Sequence, residues 1–87
     1  MDAEYRARLQ AEIYAARGAQ EILGNPAYRA AEERALADIV SDWQQSRDAT
    51  VREQLWAAQK GIDVMRAALQ ALVERAVLAQ AEIDADI

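Results

Sequence analysis

The chain has 87 residues, a formal net charge of −5, and neither Cys nor His. Its size allows one small domain whose core is marginal without added contacts. The missing thiols and imidazoles exclude disulfides, the usual transition-metal ligands and the common nucleophile–base pairs, and the acidic balance argues against broad nucleic-acid binding.

Hydrophobic residues make up 53% of the sequence, but Ala supplies nearly half of them. Ala favours helix strongly and contributes little burial, so the chain coils readily and packs with more difficulty. No apolar run approaches the roughly 18 residues of a membrane span. Met1-Asp2-Ala3-Glu4 lacks the shape of a signal peptide, so the sequence reads as soluble and not exported.

The spacing predicts an all-α protein, a single domain over residues 1–87 with helices at about 2–23, 26–45 and 51–84, arranged as two helical hairpins. The first helix carries one apolar face of Tyr5, Leu9, Ile13, Ala16, Ala19 and Leu23, and a second face of small residues, Ala11, Ala15 and Gly18, with Ile22. It ends where Gly24 suits the left-handed position past a helix C-terminus. Asn25 then suits an N-cap and Pro26 the first helical position of the next helix. That second helix has the stripe Tyr28, Ala31, Ala35 or Leu36, Ile39 and Trp43.

The second break lies at Gln45-Ser46-Arg47-Asp48-Ala49-Thr50, with Thr50 and Glu53 at capping-box spacing and Asp48 as a competing cap. The third helix follows with a heptad stripe: Val51, Leu55, Ala58, Ile62, Met65, Leu69, Leu72, Ala76, Ala79 and Ile83. A second face repeats every seven residues through Ala57, Val64, Ala71, Leu78 and Ala85. At about 50 Å this helix outreaches partners of roughly 30 Å. Its C-terminal half, Leu69 to Ile83, is expected to run out of intrachain partners and to meet another subunit or another protein. Glu82, Asp84 and Asp86 oppose the helix dipole there, so the end is expected to fray unless a partner holds it. If the seam is buried, Leu69→Ala or Ile62→Ala should cost about 2–5 kcal/mol.

Candidate chemistry is sparse. Glu32-Glu33 and Asp38-Asp42 are the densest acidic spots, and Asp38 and Asp42, one turn apart, suit weak binding of a hard cation. A di-metal bundle site would want Glu-x-x-His, and solvated helix surface accounts for both spots better. Ser41, Ser46 and Thr50 lie in no nucleophile elbow, and the three glycines form no phosphate loop. No catalytic, cofactor or metal residue is assigned, and the chain is read as a non-enzyme. Glu4–Arg8, Asp48–Arg52 and Asp63–Arg66 have the spacing of surface ion pairs.

The expected partner interface is Trp56, Leu69, Leu72, Val73, Ala76, Val77, Leu78, Ala79 and Ile83. Trp43 and Trp56 meet across the second turn in a hairpin, either capping its core or, for Trp56, standing out as an anchor. Arg6, Arg8 and Arg17, beside Tyr5 and Tyr14, are the candidates for nucleic-acid contact, although Asp2, Glu4, Glu12 and Glu21 offset their charge. Arg47 and Arg52 near the second turn could form an anion contact or a solvated hairpin tip.

One set of residues carries a resemblance: Leu23-x-Asn25-Pro26-x-Tyr28, Trp43, Ser46, Asp48, Arg52-Glu53-x-Leu55-Trp56, Lys60, Arg66 and Leu69. Over roughly residues 20 to 70 this resembles small helical proteins encoded among the head and DNA-packaging genes of tailed bacteriophages. The resemblance implies a virion or assembly role at the head, neck or packaging machinery, and no catalytic residue. The expected protein is then a helical assembly component that packs with itself or with a larger virion or packaging protein. It would act in the cytoplasm of an infected bacterium or in the virion. Alternatives are a small acidic inhibitor of a host protein and a small DNA-packaging subunit.

Overall fold

The computed structural model describes residues 1–86. It has three helices, α1 (Ala3–Gly24), α2 (Pro26–Gln45) and α3 (Ala49–Ala85), and no strand among the described residues. The molecule is a rod measuring 60 × 25 × 15 Å.

Each boundary has a local cause. Asp2 caps α1 by accepting from the Glu4 amide at 3.0 Å. Asn25 alone separates α1 from α2. It is extended, at φ −76° and ψ 121°, the backbone that a following proline imposes. Its amide closes α1 by donating to the Ile22 carbonyl at 3.2 Å, while its side chain accepts from the Ala27 amide at 2.8 Å to open α2. Gly24 is the last residue of α1 and does not take the left-handed conformation expected of it. The α3 cap is Asp48, not Thr50: its carboxylate accepts from the amides of Thr50 and Val51 at 2.8 and 3.2 Å. Ser46 sets this cap in place, its hydroxyl accepting from the Asp48 amide at 3.2 Å.

The single-residue joint at Asn25 decides the topology. Antiparallel helices need a connection of about two to five residues. Helices α1 and α2 therefore make no hairpin with each other, contrary to the two-hairpin expectation. They follow one another along α3 as one interrupted arm, and both run antiparallel to it. Tyr5 meets Glu82 at one end, Glu32 meets Arg66 further along, and Trp43 meets Arg52 beside the α2–α3 turn.

The closed part of the rod is α1 against the C-terminal half of α3. Leu9, Ala79 and Ile83 form the core cluster with Ile13 packed on it, and Ala16, Ala19 and Ala76 are also buried. Small side chains on both helices allow axes to approach toward the near end of the usual range of about 8–10 Å. The chain thus supplies its own cover for Ala76, Ala79 and Ile83, where intrachain partners were expected to run out.

The same pairing offsets the acidic end of α3. Glu82 accepts a hydrogen bond from the Tyr5 hydroxyl at 2.8 Å, and Asp86 lies 3.3 Å from the α-amino group of Met1. The positive end of the α1 dipole lies beside the negative end of α3. The partner needed to hold that end is therefore the chain's own first helix.

Candidate partner interface

The α2–α3 half of the rod is built differently. No residue here reaches the burial of the Ala pairs at the other end, except Glu32. Leu55, Ile62 and Leu69 of the heptad stripe are half-buried, whereas Val51, Ala58 and Met65 are exposed. Helix α2 engages Arg52 and Arg66, to one side of the stripe, through Trp43 and Glu32, and the residues Val51, Ala58 and Met65 stay exposed.

An apolar groove follows along that exposed side. Tyr28, Ala31, Glu32 and Ala35 of α2 and Ala58, Gly61, Ile62 and Met65 of α3 line it, with Glu32 its one charged residue, and its volume is about 420 Å³. Met65 is 60% exposed, and open space surrounds the Gly61 Cα. A second groove, of about 300 Å³, runs along the other side between Ile39, Val40, Trp43 and Gln44 of α2 and Trp56 and Gln59 of α3. Trp43 is 44% exposed and Trp56 60%, so neither closes a hairpin core.

One ion pair pins the two helices between these grooves. The Arg66 guanidinium lies 2.8 Å from Glu32 Oε1. The Glu32 side chain is only 6% exposed and that of Arg66 46%, so the pair reaches from interior to solvent along the arginine. Glu32 Oε2 is buried with no hydrogen-bond partner of acceptable geometry. The phenol of Tyr28 lies against the same carboxylate. Burial raises its pKa above the ordinary value of 10.0, and the neighbouring Glu32 carboxylate adds to the rise.

At the turn, Arg52 lies flat over Trp43, its guanidinium carbon 3.9 Å from the ring centroid, and donates through Nε to the Ser46 carbonyl at 2.8 Å. This arginine ties the end of α2 to the start of α3 and is committed to the turn, not presented to an anion. Arg66 reaches across to Glu32 in place of Asp63, and Arg8 lies over the Tyr5 ring in place of pairing with Glu4. Arg34–Asp38, at 3.5 Å and exposed, is the one same-helix ion pair among the described residues.

The residues expected to form a partner interface separate into three groups. Ala76, Ala79 and Ile83 lie buried under α1. Leu69, Leu72 and Val73 are half-buried near the junction of α1 and α2. Trp56, Val77 and Leu78 are exposed. The second faces of α1 and α3 are largely uncovered by the chain's own helices: Ala11, Ala15, Gly18 and Ile22 are exposed, as are Ala57, Val64, Leu78 and Ala85, and only Ala71 is half-buried.

Arg6, Arg8 and Arg17 do not come together as a basic patch. At 100° per residue Arg8 points about 160° away from Arg6, and Arg17 lies three turns along from Arg6. Arg17 instead lies over Tyr14. No group of three or more Asp or Glu side chains able to hold a metal ion occurs among the described residues, and Asp38 is engaged with Arg34. No helix among them is long and apolar enough to cross a membrane.

Sequence reasoning missed Glu32 as an interior residue. The signal was present: Glu32 lies four residues after Tyr28 and three before Ala35, on the same face as the α2 stripe. Comparison with protein-family models, with curated proteins and with solved structures found no match.

Proposed function

We propose that this chain is a non-catalytic assembly protein that works by helix packing, with itself or with a larger structural or packaging protein of a tailed phage. The observation that supports this reading is the α2–α3 half of the rod. Two helices side by side leave Val40, Trp43, Trp56, Val64 and Met65 exposed along its length. Apolar surface gathered in this way, on a rod with little core of its own, marks a site of protein association. The phage setting rests on the sequence resemblance alone.

The test is sedimentation of the purified chain, alone and mixed with the head, neck and packaging proteins of its source phage. Self-association or a stable complex with one of those proteins is the expected result. A compact monomer at high concentration that binds none of them would refute the reading. Capture of a host enzyme as the dominant partner would favour an acidic inhibitor instead.

A further inference from the structure

A folded monomer of 9.7 kDa exposes about 5,100 Å² by the usual scaling of surface with mass. This chain exposes 6648 Å², an excess of about 1,500 Å² over that scaling. Two chains that each lost this excess would bury about 3,000 Å² in total, within the range of obligate homodimers.

The charges are distributed in a way that permits such pairing. Residues 26–68, which include α2 and the part of α3 it packs on, carry six basic and seven acidic side chains. The rest of the chain carries four basic and eight acidic. The net charge of −5 is thus concentrated at the closed end, and the open end is close to neutral. Two copies can meet through their open ends with little repulsion.

The lining of the groove mixes sizes: Ala31, Ala35, Ala58 and Gly61 are small, Tyr28, Ile62 and Met65 are large, and Glu32 lies among them paired with Arg66. A two-fold axis through the groove would set the large side chains of each copy against the small ones of the other.

Building on the assembly reading above, we propose that the groove between α2 and α3 on the Tyr28–Met65 side is occupied by the same groove of a second copy. The two chains then form a four-helix cross-section that encloses a core.

Gly61 gives a clean test. Open space surrounds it, so a side chain there meets nothing within the chain, and replacing a mid-helix glycine favours helix. Gly61→Glu places a charge in the groove without disturbing the monomer. Gly18→Glu, on the exposed face of α1 and equally open, is the control. Sedimentation equilibrium across the micromolar to millimolar range should find the wild type and Gly18→Glu dimeric. Gly61→Glu should dimerise at least about a hundredfold more weakly, as expected for an unpaired charge buried at an interface. Helix content by circular dichroism should be unchanged in all three.

A dimer whose dissociation constant is not moved by Gly61→Glu would overturn the groove assignment and leave assembly through another face. A monomeric wild type that still binds a phage structural protein would overturn the pairing alone. A monomer with no such partner would overturn both the pairing and the assembly reading.

Discussion

Removing the cation from the Glu32–Arg66 pair should be far more damaging than removing the acid. Breaking a fully buried ion pair on one side costs about 3–5 kcal/mol, because the remaining charge stays buried without a partner. Arg66→Met leaves the Glu32 carboxylate in that position, its side chain 6% exposed and one oxygen already without a hydrogen bond. The half-exposed Arg66 currently shares its charge with water, so we expect about 2–3 kcal/mol, below the fully buried figure. Glu32→Leu leaves the opposite situation. Arg66 is 46% exposed and can turn its guanidinium to solvent along a flexible stem, so the loss should stay under about 1 kcal/mol. The double variant Glu32→Leu/Arg66→Met should be neutral or more stable than the wild type, as replacing buried pairs by apolar side chains often is. Urea unfolding followed by circular dichroism at one fixed protein concentration completes the cycle, and repeating it on Gly61→Glu separates folding from association. Equal losses in the two single variants, or a loss below about 0.5 kcal/mol for Arg66→Met, would refute the claim that Glu32 is buried and held by Arg66.

Ala79 is 2% exposed against α1, so Ala79→Leu should overpack that contact and cost about 1–3 kcal/mol; thermal unfolding should show it as a clear drop in Tm. Ile62→Ala and Leu69→Ala remove only half-buried side chains, and about 1–2 kcal/mol each is expected in place of the 2–5 anticipated for a closed seam. At concentrations where the chain is monomeric, amide hydrogens of α2 should exchange well before those of α1 and the C-terminal half of α3; uniform protection along the rod would contradict the difference in packing. The pKa of Tyr5 is raised by its hydrogen bond to Glu82 and then by burial, and that of Tyr28 by burial and then by Glu32. A raised folded pKa favours the protonated phenol, so this stability is complete below about pH 10 and is lost as pH rises through the folded values. Tyr5→Phe and Tyr28→Phe should each remove a late portion of the alkaline tyrosinate absorbance titration; a late portion left unchanged by both would refute the assignment.

The helices and the Asn25-Pro26 break were legible because their causes are local, and the heptad spacing of α3 needs no knowledge of its partner. The α3 cap went to Asp48 and not to Thr50 at its capping-box spacing from Glu53, because the Asp48 carboxylate takes the Thr50 and Val51 amides itself. The path of the chain departs from the two-hairpin expectation, although its cause is also local. Gly24 suggested a left-handed helix end and hence a reversal, but Pro26 fixes Asn25 as extended, and one extended residue cannot turn a helix back on itself. That departure carries over to the interface. On the expectation that Leu69 to Ile83 runs out of intrachain partners, Ala76 and Ala79 belong to a surface left for another protein. Set against Ala16 and Ala19 they are the most closely packed part of the molecule, because small side chains contribute little area singly but let two helices come near. Glu32 was read by residue type, as surface, where its position on the α2 face gave the better guide.

The lengths of the helices explain where association should occur. Placed end to end, the 22 residues of α1 and 20 of α2 extend about 60 Å, against about 55 Å for the 37 residues of α3. The chain therefore matches its long helix along the axis with its two shorter ones. It is unsatisfied around the axis, since a pair of helices buries one stripe on each and these helices carry more than one. Met65, Trp56 and Val64 are exposed for this lateral reason. A partner should accordingly lie beside the rod, over α2 and α3, and a head-to-tail filament built through the α3 C-terminus is the arrangement that this geometry disfavours.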